Sequence, residues 1–69
     1  MTTEREAQGA VRQMISMGEG SDQQRVADAM REATWFLDDG MYSDFFASYG
    51  PDARRIARQC LAILKRLDP

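Results

Sequence analysis

Apolar residues return every three or four positions through most of the chain, and three stretches carry that period cleanly. The clearest is 51–67, where Ala53, Ile56, Ala57, Cys60, Ile63, Leu64 and Leu67 fall on one stripe. Gly50-Pro51-Asp52 suits its start, because proline costs nothing at a first helical position and an aspartate complements the positive end of the helix dipole. Lys65 and Arg66 fall in the last turn, where cations are favoured. A second stripe, Ala7, Ala10, Val11, Met14 and Ile15, predicts a helix over about 3–17. Thr3 and Glu6 have the spacing of a capping box, and Gly18 suits the position just past the end. Gly9 interrupts this helix at a cost of about 1 kcal/mol relative to alanine, unless a neighbour comes close there.

The third stripe is Val26, Ala29, Met30, Ala33, Phe36 and Leu37, predicting a helix from Ser21 or Asp22 to Asp38. Ser21 with Gln24 repeats the capping spacing, and Gly40 ends the run. Trp35 lies off this stripe, on the side of Asp28, Arg31 and Glu32. Asp38 and Asp39 oppose the dipole at the helix C-terminus, which suggests another use for them. From Met41 to Gly50 the period is lost. Ser43 can cap a short helix of about two turns over 43–49, the alternative being a compact loop anchored by its rings. Gly18-Glu19-Gly20-Ser21 reads as a plain turn between antiparallel helices, since Glu19 would repel phosphate and no P-loop lysine follows. The pattern as a whole predicts one all-α domain over 1–69, a small bundle of three main helices (about 3–17, 21–38 and 51–67) and a short fourth element.

Composition sharpens this picture. A chain of 69 residues is marginal as an isolated fold unless something besides its core helps. The single Cys60 has no intramolecular partner, and without histidine a structural zinc site has no ordinary ligand set. Well-packed helices or a homodimer remain, and a dimer burying surplus apolar surface from Met14, Met17, Met30 or Leu61 is expected. No apolar run approaches the length of a membrane span, and the polar start Met1–Glu6 shows no secretory signal. An unpaired cysteine fits a reducing, cytoplasmic setting.

The net charge of −2 hides an asymmetry. Residues 1–50 hold nine acids and four bases, and residues 51–69 hold two acids and five bases, so the segments carry −5 and +3. Such a bipolar chain can pair its acidic middle with its basic end, within a monomer or across a dimer.

Chemistry is sparse. No histidine is present to act as a base, and Cys60 sits within an apolar stripe where a buried, inert thiol is expected. Asp38-Asp39-Gly40 with Asp44 lacks the ligand spacing of a calcium loop. Neither an enzyme nor a metal or cofactor site is expected. The conspicuous feature is that all six aromatics lie within 35–49, interleaved with acids. Phe36, Phe45 and Phe46 suit a core, whereas the polar tips of Trp and Tyr suit interfaces. An acidic-aromatic patch of Trp35, Asp38, Asp39, Tyr42, Phe46 and Tyr49 is therefore expected to bind another protein. The chain then reads as a small regulator, inhibitor or adaptor, of a kind found among phage and plasmid regulators. The alternative is a nucleic-acid-binding transcriptional regulator using the basic face Arg54, Arg58 and Lys65, against which the acidic net charge counts.

Overall fold

Three long helices form where the apolar period is cleanest, and a one-turn helix forms where it is lost. The computed structural model describes residues 3–68, the side chain of Thr3 excepted. Its elements are α1 (Thr3–Met17), α2 (Asp22–Asp38), α3 (Asp44–Ala47), a 3₁₀ turn (Gly50–Asp52) and α4 (Ala53–Leu67). Among the described residues there is no strand, and no helix is long and apolar enough to cross a membrane.

The apolar stripe of α4 lies at the centre, packed against α2, α1 and α3. Its Ile56, Ala57, Cys60 and Leu64 are fully buried. Opposite them are Ala7, Ala10, Val11 and Met14 of α1 and Val26, Ala29 and Ala33 of α2. Alanine recurs at these contacts, so the helix backbones can approach closely. The Cys60 thiol reaches the carbonyl oxygen of Ala7, 3.6 Å away, across one such contact. Ile63 is half-buried as expected of the stripe, but Leu67, in the last turn of α4, is exposed.

Phe46 supplies the bulk that the alanines lack. It is fully buried, stacked on Phe36 with ring centroids 5.2 Å apart and met edge-on by Phe45 at 5.3 Å. Ser43 positions it: the serine oxygen accepts from the Phe46 N–H and so caps α3. α3 is one turn, not the two expected. A short 3₁₀ turn through Pro51 follows it, so α4 begins at Ala53 instead of residue 51. Asp52 caps no backbone group there and instead lies 3.8 Å from Arg55.

Two joints carry the remaining geometry. Gly20, with φ +93°, is the residue that needs left-handed backbone in the first connection. Gly18, expected in that role, is required for space, since a Cβ there would meet the Arg25 stem at 3.1 Å. Arg25 then donates to the carbonyls of Ile15 and Gly20, closing the end of α1. At the end of α2, Gly40 turns left-handed (φ +67°) and the Met41 N–H returns to the Trp35 carbonyl. Arg54 donates to the Leu37 carbonyl at 3.2 Å, setting a cation at a C-terminus burdened by Asp38 and Asp39.

The monomer's own core takes up Met14 and half-buries Met30 and Leu61, leaving Met17 exposed among the four residues expected to supply a dimer contact. The capping role expected of the Thr3 side chain lies outside the described residues. No helix approaches Gly9, which is exposed with no atom near its missing Cβ, so its helix cost is not offset by packing. Gly9→Ala should therefore stabilise the fold by about 1 kcal/mol. Thermal denaturation followed by circular dichroism should show a rise in Tm of about 4–8 °C for a domain of this size.

Candidate functional site

A helical face and the chain just beyond it build a concavity on the surface. Asp28, Arg31, Glu32, Trp35 and Asp39 recur at three- and four-residue spacing along α2, so they share the face turned away from the α2 core stripe. The left-handed turn at Gly40 brings the chain back past the start of that turn of helix, which places Met41 and Tyr42 beside Trp35. The result is a groove of about 410 Å³ with Trp35, Met41 and Tyr42 along it, the less exposed Phe36 and Ser43 within it, and charged side chains of α2 at its edge. Trp35 is 44% exposed, Met41 52% and Tyr42 77%, a concentration of exposed apolar surface in one place.

Polar contacts hold the groove in shape. Ser43, itself buried, donates from its hydroxyl to a Glu32 carboxylate oxygen at 2.8 Å while accepting from Phe46, so one serine ties α2 to α3. Hydrogen bonding and charge from the Asp44 carboxylate raise the Tyr42 phenol above its usual value of 10. Arg31 lies 3.6 Å from Asp28 and has its guanidinium carbon 5.9 Å from the centre of the Trp35 ring. A smaller groove of about 140 Å³ lies across Asp28 and Glu32, with the exposed Met17 on its wall.

The residues expected to form one patch separate. Trp35 and Tyr42 share the groove. Phe46 cannot contact a partner, because it is sealed inside the core between Phe36 and Phe45. Tyr49 lies outside the groove, half-buried against Phe45 with ring centroids 5.9 Å apart. Burial, with Cys60 and Glu6 nearby, raises its hydroxyl above the usual range. Asp38 and Asp39 are both exposed at the end of α2, and neither lines the groove. Met41 and Ser43 carried no period that marked them in advance.

The basic side of α4 presents Arg54, Arg55, Arg58, Lys65 and Arg66 to solvent. Arg54 is committed to the Leu37 carbonyl and Arg55 faces Asp52, so part of this charge serves helix ends within the chain. The ion pairs Arg31–Asp28 and Arg55–Asp52 are both local, one turn apart in sequence, and neither joins the acidic middle to the basic end. Compared with protein-family models, curated proteins and solved structures, the chain matches none of them.

Cys60 is sealed in the core, and burial pushes its thiol from 9 up to about 11. At neutral pH its thiolate fraction is on the order of 10⁻⁴, too low for ready nucleophilic attack. Below pH 9 the thiol is neutral whether the chain is folded or not. Between pH 9 and about 11 the unfolded chain gives up this proton and the folded chain keeps it, so stability falls as pH rises through that window. Urea denaturation should show a decline on the order of 2–3 kcal/mol across that interval. The decline should be shallower in Cys60→Ala, and a decline of equal depth in that variant would count against the assignment.

Proposed function

We propose that the chain is a non-enzymatic regulatory or adaptor module that acts by binding another protein through the Trp35–Met41–Tyr42 groove. One observation carries this reading: three large side chains that a 69-residue fold could have used as core are held exposed around a single concavity. Trp and Tyr are prominent in the energetics of protein interfaces, and Trp35 and Tyr42 occur here together. The Ser43–Glu32 hydrogen bond and the Gly40 turn set the shape of the groove, so less ordering is left to binding. Arg54 and Arg55, engaged within the chain, give less support to a nucleic-acid surface on α4.

The test is capture of partners from the native host by the tagged chain, compared with Trp35→Ala and Tyr42→Ala variants. Each variant should keep its far-ultraviolet circular dichroism. Each should lose at least ~2 kcal/mol of binding to the captured protein, about thirtyfold in Kd. Binding unchanged in both variants removes the reading. Binding lost instead on charge reversal at Arg54 and Arg58, and steeply weakened by salt, moves the function to α4 and nucleic acid.

Homodimerisation in the cytoplasm is a separate part of the proposal, resting on the size of the chain and on the exposed Met17 and Leu67. Sedimentation equilibrium at low micromolar concentration should show a dimer. A stable, cooperatively unfolding monomer there excludes dimerisation as a condition of folding.

A further inference from the structure

The groove is acidic as well as aromatic, and this specifies what it takes. Two carboxylates, Asp28 and Glu32, line the groove against the single cation Arg31, and the exposed Asp39 and Asp44 flank its lining residues in the sequence. Resting on the binding role argued above, we infer that the groove accepts a cationic side chain, arginine above all, presented by a basic amphipathic segment of the partner protein. The aromatic faces and the carboxylates would act together on such a group, the rings through their negative π surfaces and the acids through charge-assisted hydrogen bonds.

Arg31 shows the chemistry in place. Its guanidinium sits beside a carboxylate (Asp28, 3.6 Å) and 5.9 Å from the Trp35 ring centre, the two kinds of contact a partner arginine would make. The second distance is at the outer limit of a cation–π contact, about 6 Å, and Arg31 is largely solvent-exposed, so it is held loosely. Arg31 is thus an internal placeholder that an incoming arginine displaces from Trp35. Met41, flexible and exposed beside it, offers apolar surface to the rest of the segment. The adjoining smaller groove shares Asp28 and Glu32 and reaches Met17, with Arg25, which donates to the Ile15 and Gly20 carbonyls, also on its wall.

Trp35 is the only tryptophan, so its fluorescence reports on this groove alone. The probes are an amphipathic helical peptide carrying arginines beside leucines, and the same peptide with glutamate at every arginine. The arginine peptide should shift Trp35 emission saturably and bind at least ~10-fold tighter than the glutamate peptide, with the preference shrinking as salt screens the charges. Asp28→Asn should weaken arginine-peptide binding, and Arg31→Ala should tighten it several-fold by removing the competitor. Fluorescence anisotropy of labelled peptide gives the same quantities independently of the tryptophan.

Equal affinity for the two peptides overturns the inference, as does weaker binding by a folded Arg31→Ala variant. A glutamate peptide that binds better and depends on Trp35 also overturns it, yet leaves the groove standing as a protein-binding surface. If neither peptide binds, the inference is wrong, and a dimer that Trp35→Ala dissociates would then put a second copy in the groove. Failure of the Trp35→Ala capture experiment, by contrast, removes the binding surface itself.

Discussion

Everything in this fold depends on the burial of one stripe of α4, Ile56, Ala57, Cys60 and Leu64, in the angle between α1 and α2. A domain this small has little apolar area to remove from water, so the stripe has to be covered on both flanks. Alanines 7, 10, 29, 33, 53 and 57 make this possible by letting backbones come together. The cost is volume, since alanine buries little surface of its own. Phe46 offsets that deficit from a helix of only one turn, and the Ser43 cap and the Phe36 ring hold it there. Removing the phenylalanine would open a cavity whose cost, about 3–5 kcal/mol, is comparable to the whole stability of many small domains.

The same economy explains why the groove lies where it does. Phe36, Phe45 and Phe46 pack into the core, and Trp35, Met41 and Tyr42 stay outside it. The turn at Gly40 and the Ser43–Glu32 hydrogen bond that seat Phe46 also fix the chain carrying Met41 and Tyr42 against the outer face of α2. Core and surface site are thus two sides of one short segment. Acids on that outer face cost the fold little because they stay solvated, and Arg54 at the Leu37 carbonyl relieves the strain they place on the helix end. Among the described residues, the basic end therefore meets the acidic middle at a helix terminus, where Arg54 reaches the Leu37 carbonyl, and neither Arg31–Asp28 nor Arg55–Asp52 joins the two.

The three long helices were legible in the sequence to within a residue or two, and so was most of the core. The stripe of α4, the Ser21 cap and the separation of Trp35 from the α2 core face all follow from a period of 3.6 and from capping chemistry, which act over a few neighbouring residues. Half of the candidate site was legible in the same way, since Asp28, Arg31 and Glu32 share Trp35's face by spacing alone. Gly18 and Gly20 were not distinguishable in their roles, because one is constrained by the Arg25 stem and the other by its own backbone.

The sequence by itself determined which faces of the three helices are apolar, because that depends on local geometry repeated along each helix. The stretch 41–50 has no such repeat, and only the tertiary structure decided which of its rings turn inward. Phe46 is core and Tyr42 is surface for a reason no spacing records: the Ser43 cap fixes the start of α3 so that Phe46 meets Phe36, distant in sequence, as well as the adjacent Phe45.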